Sequence, residues 1–99
     1  MGQLLYGSPP ETFVMDDRTL AHLEIVTLAK LRRNESFALS LDRPEGGRTT
    51  VWLAPASTIV FRFDENSHEV NRVWLEVLLD SANTTAGMRL LSEPESVAP

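Results

Sequence analysis

The sequence predicts an α+β fold in which two helices pack on a mostly antiparallel sheet, with the elements in the order β-β-α-β-β-β-α-β. Three observations lead to this prediction. Residues 36–64 hold three stretches that alternate between apolar and polar side chains, which is the period of a half-buried strand. Two longer stretches are predicted as helices: 17–34 is rich in strong helix formers with apolar residues on more than one stripe, and 66–86 spaces its apolar residues along one face. Glycines and prolines separate most of these stretches.

The first third of the chain predicts two short strands and a helix. The apolar runs 3–6 and 12–15 flank a segment with two prolines, so they form either a hairpin or two separate edge strands. Asp16 is the expected N-cap of the helix, because its carboxylate can accept backbone amides and suits the positive end of the helix dipole. The helix is expected to end near Asn34, with His22 on its surface.

A hairpin is predicted from residue 37 to residue 53. Its connecting segment contains one proline and two glycines, which favour a chain reversal. Pairing the two strands sets Leu39 opposite Val51 in the core. The same register sets Asp42 opposite Arg48. One register therefore pairs apolar residues on the core face and opposite charges on the other face.

Residues 58–64 alternate as well and are expected to pair with the second strand of the hairpin, with Leu53 opposite Ile59. Three apolar side chains would then be neighbours on the sheet face opposite the core: Ala38, Trp52 and Val60. A tryptophan in that position needs cover. Either the N-terminal segment and first helix cover it, or another chain does.

A second helix is predicted in the last third of the chain. Asn66 and Glu69 have the spacing of a capping box at its start. The residues at core-facing positions are Val70, Val73, Trp74, Val77 and Leu78. The residues expected in solvent are Asn71, Arg72 and Glu76. Leu75 and Leu79 fall outside the core stripe and are candidates for a contact surface, and Gly87 is the expected terminator.

Length and composition indicate one small domain. The chain has 99 residues, 42% of them hydrophobic, which suits a single core. We assign the domain to residues 1–91, with a short last strand at 88–91. Residues 92–99 are expected to form a flexible, acidic tail that contains proline.

Charge and cysteine content exclude several classes of function. The formal net charge of -5 disfavours a sequence-independent nucleic-acid binder, because phosphate attraction needs a surplus of lysine and arginine. The absence of cysteine removes disulfides, thiolate catalysis and cysteine-based zinc sites. No basic leader precedes an apolar run, and no run approaches the length of a membrane span. The expectation is a cytoplasmic protein without membrane contact.

No motif for catalysis, a cofactor or a metal is found in the sequence. The glycines of the hairpin turn are not followed by the lysine of a phosphate-binding loop. No serine has a histidine at a recognisable spacing, and His22 and His68 lack partners at metal-ligand spacing. The sequence therefore favours a non-enzymatic role, and we assign no catalytic residue.

Several segments together resemble a family of small actinobacterial proteins of unknown function. They are Gly2-Gln3-Leu4-Leu5-Tyr6-Gly7, Asp16-Asp17-Arg18, Leu20-Ala21-His22-Leu23, Lys30-Leu31-Arg32-Arg33, Gly46-Gly47-Arg48, Val51-Trp52-Leu53, Asn71-Arg72-Val73-Trp74 and Ser81-Ala82-Asn83. Members of that family often carry the name "ATP-dependent DNA ligase", which implies a nucleotidyl-lysine mechanism. Such ligases use a Lys-x-Asp-Gly motif, whereas the one lysine here, Lys30, precedes Leu31-Arg32-Arg33.

Besides an enzyme, whose carboxylates and histidines the fold would have to bring together, the sequence leaves two hypotheses for function. The first is a non-catalytic module for protein interaction or self-association, with a homodimer or another protein as partner. Its candidate contact residues are Ala38, Trp52, Val60, Leu75 and Leu79. The second is a nucleic-acid accessory protein with a local basic patch, which the net charge disfavours. The residues of this patch would be Lys30, Arg32, Arg33, Arg43 and Arg48.

Overall fold

The computed structural model describes residues 1–66, 69–90 and 93–94 of the chain. It confirms the α+β class and the predicted order of elements. The elements are β1 (Gly2–Tyr6), β2 (Glu11–Met15), α1 (Asp17–Arg32), β3 (Phe37–Asp42), β4 (Arg48–Leu53), β5 (Ile59–Arg62), α2 (Arg72–Ala82) and β6 (Met88–Arg89).

The described strands form two three-stranded sheets instead of one. The first sheet has the order β2-β1-β5 and is antiparallel throughout. The second sheet has the order β4-β3-β6, with β6 parallel to β3. Of the two arrangements expected for the N-terminal runs, the structure contains the hairpin, since β1 and β2 pair along their full length.

The predicted register of the β3–β4 hairpin is confirmed. Leu39 lies opposite Val51, and Asp42 lies opposite Arg48. The turn between the strands holds Gly46 at a positive φ of 102°, a conformation that glycine adopts without a side-chain clash. The apolar and polar alternation of the two strands and the glycines of the turn therefore favour the same hairpin register.

The predicted pairing of β4 with β5 is wrong. β5 pairs with β1 instead, so that Val60 lies opposite Leu5 in the first sheet and not beside Trp52. The hydroxyl group of Tyr6 donates a hydrogen bond of 2.6 Å to the carbonyl oxygen of Trp52. Tyr6 therefore lies beside the end of β4 and joins the two sheets there. The carboxylate of Asp64, just after β5, accepts a hydrogen bond from the N-terminal ammonium at 2.9 Å.

Helix α1 begins as predicted, because the side chain of Asp16 accepts the backbone amide of Thr19. Helix α2 begins later than predicted. Its N-cap is Asn71, whose side-chain oxygen accepts the amides of Val73 and Trp74, and the capping box predicted from residue 66 does not form. Ser67 and His68 lie outside the described residues.

The core lies between the helices and the inner faces of both sheets, since α1 contacts β1 while α2 contacts β3 and β6. Its fully buried apolar residues are Leu4, Leu20, Leu23, Leu39, Leu53, Leu78 and Met88. Each such side chain stabilises the fold by about 1.5 to 3 kcal/mol. Val70 and Val73, predicted in the core, are exposed, and Val70 lies before the start of α2. None of the described helices is long and apolar enough to cross a membrane.

Candidate functional site

Trp52 lies on the outer face of the second sheet, opposite Ala38 on the neighbouring strand. Its side chain is 59% exposed, whereas the other tryptophan, Trp74, is 3% exposed. Both helices contact strands from the core side, and Trp52 belongs to the strand face that points away from Val51 and Leu53. We call this exposed area around Trp52 and Ala38 the Trp52 face.

A hollow of about 300 Å³ borders the Trp52 face. It lies between the ends of both helices and the β3–β4 hairpin. Its lining consists of Trp52, Ala38 and Phe37 from the hairpin, Lys30 and Ser36 from the end of α1 and the following turn, and Ala82, Asn83, Thr84, Thr85 and Gly87 from the end of α2 and the loop after it. The exposed indole and the hollow are therefore neighbours on one surface.

Lys30 is buried beside this hollow, with 7% of the residue exposed. Its ammonium donates to the side-chain oxygen of Asn83, lies 3.1 Å from a carboxylate oxygen of Glu35, and is 5.8 Å from the ring centre of Phe37. A positive charge near the ends of α1 and α2 also complements both helix dipoles. Lys30 thus ties the two helix ends together and is not an exposed member of a basic patch.

The remaining predicted basic residues do not gather in one place. Arg32 and Arg33 are exposed at the end of α1. Arg43 forms an ion pair of 2.7 Å with Glu45 in the hairpin turn, and Arg48 lies opposite Asp42 at the base of that turn.

The other candidate contact residues lie apart from the Trp52 face. Val60 is 41% exposed in the first sheet, and Leu79 is 38% exposed on α2. Leu75 is partly buried and packs against the core. The structure therefore brings together only Ala38 and Trp52 from the predicted set.

A second cluster, which sequence patterns did not predict, joins α1, the start of α2 and the segment after β6. The guanidinium of Arg18 makes two hydrogen bonds to the carboxylate of Glu93, at 2.7 and 2.8 Å, and a third to the carbonyl oxygen of Glu69. The side-chain amide of Asn71 donates to the same carboxylate at 2.9 Å. We call Arg18, His22, Asn71 and Glu93 the clasp.

His22 is the buried centre of the clasp, with no exposed surface, so the prediction of a surface position is wrong. The backbone amide of Asn71 donates to Nε2 of His22 at 2.8 Å. Because Nε2 accepts, the ring proton lies on Nδ1, which donates to the carbonyl oxygen of Arg18 at 2.7 Å. The ring also lies 4.5 Å from that of Trp74. Both ring nitrogens of His22 are hydrogen-bonded to backbone groups, so the geometry indicates a structural role.

The acid stability of the protein should depend on Glu93. Hydrogen bonds from Arg18, and then from Asn71, lower the pKa of the Glu93 carboxyl from 4.5 to about 2. A lowered folded-state pKa means that the carboxylate stabilises the fold above the ordinary value, and that this contribution disappears as the pH falls toward 2.

We therefore expect Glu93→Gln to lower the free energy of unfolding at neutral pH and to have a progressively smaller effect below pH 4.5. Urea unfolding at several pH values measures this difference. Glu24→Gln, which changes a half-buried acid on α1, is the control variant. A Glu93→Gln effect that is equal at neutral and acidic pH would contradict the assignment.

No patterned spacing links the members of the clasp, since Asn71 and His22 are 49 residues apart in the chain. The segments that contain Arg18, His22 and Asn71 are nevertheless among those that carry the family resemblance. Among the described residues, no group of three or more histidine, aspartate or glutamate side chains could hold a metal ion.

Comparison with known proteins gives a family without a known activity. The family model for the domain of unknown function DUF7882 matches residues 1–93, which include both sheets, both helices and Glu93. Neither a curated protein nor a solved structure matches the chain. Since the match spans nearly the whole sequence, the chain belongs to the DUF7882 family, whose function is not known.

Proposed function

We propose that this domain is a non-catalytic self-association module, and that a second copy of the chain covers the Trp52 face. The observation that supports this proposal is the exposure of Trp52, 59% of whose surface is accessible on a small domain. Tryptophan buries a large apolar area on contact and is enriched at the centres of interfaces. A large exposed indole that no described element of its own chain covers therefore favours a contact site.

The surroundings of Trp52 suit a symmetric pair. In a twofold contact the same patch meets itself, so a projecting side chain needs a recess on the same surface. The 300 Å³ hollow next to Trp52 supplies that recess, and its volume lies at the lower end of the range for protein pockets, about 300 to 1,000 Å³. Each Trp52 would enter the hollow of the other copy.

Charge on the same face is compatible with this pairing. Asp42 and Arg48 lie opposite each other on the outer side of the hairpin, so two copies in antiparallel orientation can match positive with negative charge. The overall charge of -5 repels two copies only weakly at physiological salt, where the screening length is about 8 Å. Association through an apolar contact should therefore persist or increase with salt.

Light scattering of the purified protein over a range of concentrations tests the proposal. We expect a dimer for the unaltered chain and a monomer for Trp52→Ala, because removal of a central interface tryptophan costs about 2 kcal/mol or more of binding energy. Leu28→Ala is the matched control, since Leu28 is also an exposed apolar residue, at 46%, but lies on α1. Leu28→Ala should leave the dimer intact.

Two results would overturn the proposal. One is a folded monomer at high concentration for the unaltered chain. The other is a dimer that survives Trp52→Ala and disappears with Leu28→Ala. Circular dichroism of each variant separates loss of association from loss of folding.

The nucleic-acid hypothesis has less support in the structure, because Lys30 is buried and Arg43 is paired with Glu45. Arg32 and Arg33 are the predicted basic residues that remain exposed at one helix end. Binding to DNA or RNA would weaken steeply as salt increases. This trend is opposite to the one expected for apolar self-association.

A further inference from the structure

A second groove, separate from the Trp52 face, runs between β2 and the β3–β4 hairpin. Its volume is about 590 Å³. All five residues of β2, from Glu11 to Met15, line one side of it. The opposite wall consists of Leu41, Asp42, Arg43, Pro44, Glu45 and Thr49, with Leu90 also lining the groove. Since consecutive residues of β2 line the groove on both of its side-chain faces, the backbone edge of that strand faces into it.

β2 is an edge strand, because the first sheet has the order β2-β1-β5. Along an antiparallel strand, the amide and carbonyl groups of successive residues point alternately to the two sides of the strand, and this determines which groups of β2 are free. Gly7 donates its amide to Thr58 on the β5 side of β1. The backbone groups of every second residue point to the same side, so those of Leu5 also point to β5. The backbone groups of Leu4 and Tyr6 point to β2 instead.

The partners of Leu4 and Tyr6 on β2 are Phe13 and Glu11, so these two residues direct their backbone groups at β1. Thr12 and Val14 consequently direct their amide and carbonyl groups away from the sheet and into the groove. No hydrogen bond from these groups is found within the described part of the chain. Four backbone groups are thus in position to pair with an added strand.

The lining of the groove combines apolar side chains with acidic ones, which suits an extended peptide. Phe13 and Met15 are partly buried beside the core and supply apolar surface, together with Leu41 and Leu90. The acidic side chains are Glu11, Asp42 and Glu45, against the single guanidinium of Arg43, which is tied to Glu45 at 2.7 Å. The groove therefore carries net negative charge around an apolar floor.

We propose that an extended segment of a partner protein, with alternating apolar and basic residues, binds in this groove as an additional strand on β2. Its backbone would pair with Thr12 and Val14, its apolar side chains would contact Phe13 and Met15, and its basic side chains would meet Asp42 and Glu45 on the opposite wall. Strand addition of this kind takes affinity from main-chain hydrogen bonds and specificity from alternate side chains. Trp52 does not line this groove, and binding there does not need self-association.

The probe for this site is a fluorescent peptide of alternating lysine and valine, about seven residues long, the length of an ordinary strand. We expect saturable binding by fluorescence anisotropy. Two control peptides keep the length and pattern: one has glutamate in place of lysine, and the other has N-methyl groups on alternate backbone nitrogens. Both should bind at least about tenfold more weakly, since each loses charge attraction or one to two backbone hydrogen bonds.

A pair of variants at one position isolates the backbone contact. Val14→Pro removes an outward amide, and proline is tolerated on an edge strand where the amide faces away from the sheet. Val14→Ala removes the same exposed side chain but keeps the amide. We expect Val14→Pro to weaken peptide binding about tenfold, and Val14→Ala to change it by less than about twofold. Trp52→Ala should bind the peptide as the unaltered chain does.

Several outcomes would overturn the inference. They are absence of saturable binding, equal binding of the N-methylated peptide, and equal binding of the glutamate peptide. A dimer that Val14→Pro dissociates, in the absence of peptide binding, would assign the groove to a second copy of the chain instead. If Val14→Pro does not fold, the N-methylated peptide alone decides between strand addition and charge attraction.

Discussion

Gly87→Ala should lower the free energy of unfolding by about 2 to 5 kcal/mol, of which the left-handed backbone costs about 1 to 2 and the steric clash about 1 to 3. Gly87 has a φ of 83° and lies directly before β6. A Cβ atom there would be 2.7 Å from the carbonyl oxygen of Ala38 and 2.8 Å from its Cβ. Neither atom can rotate away, so β3 and β6 would have to separate. The effect is large for a domain of this size, whose total stability is about 5 to 15 kcal/mol.

Gly46→Ala is the matched control for this prediction. Gly46 also has a positive φ, of 102°, but a Cβ atom built there has nothing within 4 Å. The control should therefore show the backbone cost alone. Urea unfolding of both variants gives the difference, which measures the contact between Gly87 and Ala38. Equal effects at the two glycines would contradict the close approach of β3 to the residue before β6.

His22→Ala is expected to lower the free energy of unfolding by about 3 to 5 kcal/mol, because it leaves a cavity in the core and an unpaired buried amide. The ring of His22 has no exposed surface and packs against Trp74. Its Nε2 accepts the backbone amide of Asn71, the N-cap of α2. Loss of the ring therefore affects the start of α2 as well as the core.

The control for His22 is Ile25→Ala on the same helix. Ile25 is 39% exposed, so its truncation should cost less than about 1 kcal/mol. Denaturant unfolding followed by the fluorescence of Trp74, in a Trp52→Phe background, reports directly on the ring stack. A His22→Ala variant as stable as Ile25→Ala would show that the clasp contributes little.

The sequence was sufficient to predict the β3–β4 hairpin because every determinant of its register is local. Alternation assigns the faces, two glycines form the turn, and the charges of Asp42 and Arg48 fix the pairing. The partner of β5 could not be predicted in the same way. Alternation says which face of a strand is buried but not which neighbour it has, and β1 is more than 50 residues away from β5 in the chain.

In the candidate sites, too, features that depend on local sequence could be predicted, and features that depend on distant residues could not. The outward position of Trp52 follows from its parity with Val51 and Leu53 along one strand. The burial of Lys30 and His22 does not follow from α1 alone, because it depends on Asn83 and Asn71 at the two ends of α2. Residue type suggested solvent for both side chains, and partners distant in the chain decided otherwise.

The pairing of β5 with β1 also has a consequence for the order of folding. The β3–β4 hairpin joins residues that are close in the chain, and such hairpins form in about 1 to 10 μs. β5 has to wait for a strand at the other end of the domain, so the loop that closes with it contains α1 and the whole second hairpin. Until then, the apolar side chains of Ile59 and Phe61 are exposed on a strand with two open edges. During folding, β5 is therefore the strand that we expect to be most prone to aggregation until β1 pairs with it.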